Sequence, residues 1–496
     1  MSYRFLTRMS TALLAFLLLS ATLLTACGSV ETETTADTTA STDTTPTETA
    51  ETRPAHGLPE KDFGGAPFRI SVFGDDKQIP YLVPEESIGE AVNDAIYDRN
   101  AMLMDEYNFV FEAKSYGTDF RQHTQDISAL VLAGEDAYEL IYGHVVGTCN
   151  NAIIGDYRNL YNLPYLNFDA PWWPAQSVDE MTIFNCMYTI TGSATYSQLD
   201  SAKVVFFNKD LAKQYNLDEP YELVKNGEWT MDALIGATAG IYQDVNGDGV
   251  QDSGDIYGYT TIPVQNGFFV SANTPILSPT ADGGKEISVM TERTVALVEK
   301  LYSWYYESGN VLLTTTDTTD PTYCAGIFAA GNAVFTFGKL NHASAYYRDS
   351  DVSYGILPQP KYDTNQEKYS VFACPSLFSV PITCQNTELA GLVFEAMTYY
   401  GYYDVIPEYY GTTLQGKIAD APEDVEMLEI INEALTVSFA YCYDNWEGFA
   451  HFLSGNIMNF TVTGGSKDVA SVYAKKEKSA QTRLDKCLDA FREPKA

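Results

Sequence analysis

The chain has 496 residues, and 30 Lys and Arg against 66 Asp and Glu leave a formal net charge of −36. So acidic a chain excludes nucleic acid as a partner and excludes docking on anionic lipid through a basic face. Its 35 Tyr, 25 Phe and 5 Trp are enough to fill a core and still leave flat faces for a ligand.

Arg4 and Arg8 precede an apolar run from Ala12 to Leu24. The run falls short of the roughly 20 apolar residues that a membrane span needs, so residues 1–26 read as an export signal. Leu24-Thr25-Ala26-Cys27 resembles the bacterial lipobox, which implies lipidation of Cys27 and cleavage in front of it. The mature chain is then expected on the outer face of a Gram-positive-type cell membrane, held by a lipid anchor. Residues 27–58 are almost entirely Thr, Ser, Glu, Asp, Ala and Pro. With no periodic apolar face to offset ordering entropy, they read as a disordered tether. The seven other cysteines are odd in number and include no CxxC, which argues against a disulfide framework or a zinc site and for small buried residues.

The body that follows is long enough to need two lobes. Alternation over Phe68 to Phe73 predicts a strand. Ser87 and Glu90 have capping-box spacing before a helix with Val92, Ile96, Leu103 and Tyr107 on one stripe. A strand from Asn108 to Glu112, a helix from Thr118 to Ala133 ended by Gly134, and a strand from Tyr138 to Tyr142 follow. This alternation is that of an α/β fold with helices on the faces of a mostly parallel sheet. The run Val204 to Phe207 predicts a strand buried on both faces, with Asn208 opening a helix. Thr230 is the next N-cap, and Trp229 before it reads as a structural plug. A helix from Glu292 to Ser308, strands at Ala333–Phe337, Ser353–Leu357 and Phe378–Pro381, and a helix from Thr387 to Tyr400 come next. An amphipathic helix from Ser466 closes the chain.

Asp244, Asn246, Asp248, Asp252 and Asp255 stand at positions 1, 3, 5, 9 and 12 of a loop with Gly249 at position 6 and the Val250 carbonyl at position 7. That is the spacing by which an EF-hand-type loop wraps Ca²⁺. Asp255 in place of Glu is a departure seen in dockerin-like loops, and the ion is expected as a structural brace. Signals for enzymes are missing: there is no HExxH, GxSxG or GxGxxG. Gly411 to Lys417 mimics a phosphate-binding loop, but Ile418 stands where a Mg²⁺-binding hydroxyl is required.

Taken together, the strand at Phe68–Phe73, Gly155-Asp156-Tyr157, Pro171-Trp172-Trp173, Val204 to Leu211, Tyr257-Gly258, Phe328 to Gly338, Tyr354 to Pro358 and Glu408-Tyr409-Tyr410 resemble the family-1 extracellular solute-binding proteins of carbohydrate ABC importers. The resemblance implies a two-lobed, type II periplasmic-binding-protein-like α/β fold that closes like a clamp, with no catalysis. It implies crossovers near Val204–Asn208, Tyr354–Pro358 and Tyr402–Tyr409. Lobe 1 is then expected over residues 59–205 plus 358–405, and lobe 2 over 206–355 plus 406–496. It further implies a monomer that captures a mono- or oligosaccharide and passes it to ABC permease subunits. Trp172, Trp173, Tyr196, Asp200, Tyr409, Tyr410 and Trp446 are the expected ligand contacts, rings for apolar sugar faces and a carboxylate for hydroxyls. Related sugar binders often carry Trp soon after the glycine matching Gly338, whereas Lys339-Leu340-Asn341-His342 stands here. A secreted carbohydrate-active hydrolase and a non-transporting sensor or adhesion lipoprotein on the same fold are the alternatives.

Overall fold

The computed structural model describes residues 53–74, 76–262, 266–414, 422–443 and 466–493. The export signal, Cys27, nearly all of the tether and Trp446 lie outside the described residues. Two units are distinguished, Met1–Ala55 and His56–Ala496, and the second carries the fold.

Two open sheets organise this unit. In the first, β1 (Ala66–Val72), β2 (Phe109–Ser115) and β3 (Leu140–Gly143) are parallel, and β13 (Leu377–Ser379) joins β3 antiparallel. In the second, β4 (Lys203–Asn208), β5 (Tyr242–Gln243), β6 (Ile256–Thr261), β10 (Ala333–Lys339) and β11 (Tyr354–Pro358) lie in the order β11-β4-β10-β6-β5, and β9 (Val311–Leu313) also pairs with β6. The patterning of the sequence accounts for both. Phe68, Ile70 and Val72 of β1 are fully buried on one face, whereas every residue of β4 from Val204 to Asn208 is buried, as a strand covered on both faces requires.

Side-chain caps set several helix starts. The Asn208 amide oxygen accepts from the N–H groups of Asp210 and Leu211, both at 3.0 Å, and Thr230 accepts from Ala233 at 3.2 Å. The expected capping box is replaced. The helix Ala91–Tyr107 has no side-chain cap from Glu90, and the Asp94 carboxylate reaches back to the Ile88 and Gly89 N–H groups instead. Trp229 is fully buried and donates its indole N–H to the Pro358 carbonyl at 2.8 Å, a plug as expected. The closing helix is interrupted at Lys475–Lys476 and runs as Val469–Ala474 and Glu477–Arg492.

The chain passes between the sheets more often than the expected boundaries allow. β4 belongs wholly to the second sheet, so the first passage precedes Lys203. The return follows Pro358, through β12 (Val371–Phe372), to β13 of the first sheet. The helix Ile406–Leu414 packs on Ala91–Tyr107 beside the first sheet, and Pro422–Glu433 packs on β11 of the second. β14 (Leu435–Thr436) pairs with β12, after which Phe439–Cys442 and Glu477–Arg492 pack on the helix Val145–Ile154 of the first lobe. Residues 406–496, expected in lobe 2, thus pack on both lobes: Pro422–Glu433 and Val469–Ala474 on second-lobe elements, Ile406–Leu414, Phe439–Cys442 and Glu477–Arg492 on first-lobe helices. An amphipathic stripe says that a helix is covered, but not by which lobe.

Candidate functional site

The chain enters β4 at Lys203 from the first lobe, and Lys203 stands opposite Lys339, the last residue of β10. On the other side, the chain arriving from the second lobe enters β13 at Leu377, opposite Gly143 at the end of β3. The carboxyl ends of the parallel strands of both sheets therefore face the passages between the lobes, the position at which open α/β sheets bind ligands.

Three expected contacts come together at the first passage. The Tyr196 ring lies 5.0 Å from that of Tyr409 at an interplanar angle of 27°, and 5.1 Å from that of Tyr81. The Tyr409 hydroxyl donates to Asp200 Oδ1 at 2.6 Å. Burial raises the Asp200 carboxyl to about 6, against the lowering effects of the Tyr409 hydroxyl and the Lys339 charge. Desolvation, reinforced by the like charge of Lys339, brings Lys203 down to about 8. The segment after Gly338 shapes this floor: the Leu340 N–H donates to the Ala202 carbonyl at 2.9 Å and that of Asn341 to the Asp200 carbonyl at 3.3 Å. Gly338 is required for the approach, since a Cβ there would stand 2.5 Å from the Phe206 ring.

Next to this cluster, burial pushes the Tyr142 phenol up to about 12, while the hydroxyls of Ser197, Ser376 and Thr195 hold it down. Thr191 Oγ1, Gln198 Oε1 and Ser379 Oγ are buried without a hydrogen-bond partner among the described residues. Such groups are what ligand hydroxyls or water satisfy. Sequence reasoning missed Tyr81, Tyr142 and Lys203. Lys339 was visible only as a departure from the sugar-binder pattern, and nothing local distinguishes the others.

Trp172 and Trp173 do not join the cluster. They border a cavity of about 390 Å³, but their side chains are core, at 4% and 2% exposure. Both indoles donate to the buried Glu395 carboxylate, at 2.7 and 2.9 Å, and the Asn167 N–H adds a third bond at 3.2 Å. A carboxylate inside the lobe uses their polar edges, and Tyr399, Phe168 and Phe394 pack on their rings, which places the pair in the core rather than with the Tyr196 cluster. Tyr410, one residue on from Tyr409, has Tyr402, Glu429 and Glu433 for neighbours rather than Asp200.

No protein-family model matches the sequence, and no curated protein matches it. Solved structures do. A solute-binding protein of an ABC transporter from Thermotoga lettingae, bound with α-D-tagatose, is 15% identical with a TM-score of 0.53, covering 86% of this chain and 100% of that one. Maltose-bound MalE3 of T. maritima is 14% identical with a TM-score of 0.51, covering 84% and 99%. UgpB from Mycobacterium tuberculosis, in complex with glycerophosphocholine, is 14% identical with a TM-score of 0.52, covering 85% and 99%. The fold is that of the ABC-transporter solute-binding proteins. Burial lowers His123, on the helix Phe120–Leu132, and His144, just after β3, to about 4, so both are poorly suited to acid–base work at neutral pH.

The loop from Asp244 to Asp255 is a tight Asx-rich turn. Asp244 accepts from the N–H groups of Gly247 and Gly249 at 2.6 and 2.8 Å, and Asp248 from that of Val250 at 2.7 Å. The Asp255 carboxylate faces inward, taking the Tyr242 hydroxyl at 2.9 Å and the Val245 N–H at 3.1 Å. Among the described residues, Asp136, Glu139 and Cys384 have ligand atoms close enough together to hold an ion. Arg69 already stands there, bonded to the Glu139 carboxylate and 3.3 Å from Asp136. The described cysteines other than Cys374 are buried, and all are free thiols.

Proposed function

We propose that this chain is the extracellular solute-capturing subunit of an ABC importer, anchored by lipid at Cys27, and that its solute is a carbohydrate. The observation that supports the reading is the cluster of Tyr196, Tyr409 and Asp200 at the chain's first passage between the two sheets. Aromatic rings suit the apolar faces of a pyranose. Asp200, the two lysines and the buried hydroxyls suit its hydroxyl groups. Of the solved structures named above, two hold maltose and tagatose and the third glycerophosphocholine, so the fold accommodates both sugars and a hydroxylated phosphodiester. The Asp244–Asp255 loop fits the same reading as a calcium brace remote from the ligand.

The test is a thermal-shift screen of the mature chain against mono- and oligosaccharides and glycerophosphodiesters, since a ligand that binds only the native state raises the melting temperature. A hit should be weakened at least tenfold by Asp200→Asn and should be recovered chemically unchanged. A ligand that is cleaved points to a hydrolase. No ligand across the screen defeats the importer reading in favour of a sensor.

A further inference from the structure

A second cavity, of about 520 Å³, lies between the lobes and shares no lining residue with the cluster at Tyr196, Asp200 and Tyr409. One wall is the first-lobe helix Ala175–Met181, which contributes Gln176, Asp179 and Glu180. The opposite wall is the helix Asn266–Ser271, which follows β6, and the hairpin of β7 (Leu277–Pro279) and β8 (Lys285–Ile287). Another side is formed by β12 and β14, the two strands on which the chain passes between lobes, through Phe372 and Thr436, and by Val437 just after β14.

The hairpin is strapped across to the first lobe. Lys285, 7% exposed, donates to Glu180 Oε2 at 2.6 Å, and Glu180 Oε1 accepts the Phe439 N–H at 3.0 Å. The Gly283 carbonyl accepts the Phe184 N–H at 2.9 Å. A Cβ on Gly284 would stand 2.7 Å from the Phe184 ring, so glycine lets the hairpin tip close on it. The volume falls in the range of small-molecule sites. The wall is mostly apolar, with Phe269, Ile276, Leu277, Phe372 and Val437, and hydroxyl and amide groups surround it. Its charges are Asp179, Glu180 and Lys285, and the lysine is already committed to Glu180. That leaves the cavity without a cation for an anionic ligand.

We infer that this cavity is a second binding site, for a neutral amphipathic molecule of about two-ring size, and that its occupancy restrains the hinge. A molecule seated there touches both lobes and both passage strands, so it favours the lobe arrangement that keeps the cavity open. The inference rests on topology and cavity chemistry and does not depend on a carbohydrate ligand.

The experiment uses the mature chain with Cys27→Ser, to keep it free of lipid, and two probes with similar rings. N-phenyl-1-naphthylamine is neutral, and 1-anilinonaphthalene-8-sulfonate is anionic. Fluorescence titration should show one saturable site for the neutral probe, at least tenfold tighter than for the anion. Gln176→Trp and, separately, Val270→Trp fill the cavity from partly exposed positions and should each weaken the neutral probe at least tenfold while circular dichroism stays unchanged. Hydrogen exchange at 370–374 and 434–438 should slow when that probe is bound. Absence of saturable binding, equal affinity for both probes, or unchanged affinity in a folded filling variant overturns the site. Binding without slowed exchange overturns its link to the hinge.

Discussion

Glu395 offers a measurable account of what the tryptophan pair does. The side chain is 1% exposed, and its carboxyl is pushed up to about 7 by burial, although the Trp172, Trp173 and Asn167 donors pull the other way. In the unfolded chain the group ionises near its ordinary 4.5. The native state therefore binds the proton more tightly, and stability falls as pH rises from about 4.5 to about 7, staying level on either side as far as this group is concerned. A rise of that size corresponds to about 3 kcal/mol. Glu395→Gln keeps the shape and removes the titration. Urea unfolding followed by tryptophan fluorescence at pH 4.5, 6, 7 and 8 should therefore show the variant gaining about 3 kcal/mol on the wild type across the series. Parallel pH profiles would refute the reasoning. A gap moving in the opposite direction would show that the two indole N–H groups outweigh desolvation and hold the carboxylate ionised. In either case the variant's effect belongs to stability, and affinity for any ligand should change less than twofold.

Tyr409→Phe removes the hydroxyl that donates to Asp200 and should raise the Asp200 pKa above 6, readable by NMR titration of the carboxyl carbon, with about 1 kcal/mol lost in stability. Gly338→Ala forces a methyl against the Phe206 ring and should cost about 1–3 kcal/mol in chemical denaturation. If the Asp244–Asp255 loop takes Ca²⁺ as its spacing predicts, chelation should lower the melting temperature, and Asp244→Ala with Asp248→Ala should erase the difference. Identical melting curves with calcium and with chelator would dismiss the ion. Cys27→Ala should leave the protein uncleaved or release it from the membrane, and failure of labelled fatty acid to enter the wild type would dismiss the anchor.

Much of the architecture was legible because it is local. The apolar run from Val204 to Phe207 specifies a strand covered on both faces, and Asn208 and Thr230 cap the helices they were expected to cap. Alternation places Phe68, Ile70 and Val72 inward without reference to any distant residue. Period and capping act over a few residues, so a single sequence carries them. The Asp244–Asp255 turn is likewise written in consecutive residues, its Asp and Asn side chains accepting from N–H groups a few positions on.

What the sequence could not hold is which distant groups meet. Trp172 and Trp173 look like open sugar platforms until Glu395, more than two hundred residues away, takes both indole N–H groups into the core. Tyr409 and Tyr410 are equivalent by composition, yet helix geometry turns one toward Asp200 and the other toward Tyr402 and Glu433. The helices after 406 carry clear stripes, but a stripe is blind to its partner, and only the packed structure returns Glu477–Arg492 to the first lobe. Sequence determined the elements, the fold class and the expectation of an exported binder. The tertiary structure decided which candidate residues meet, because burial and long-range hydrogen bonding choose among side chains that local chemistry leaves alike.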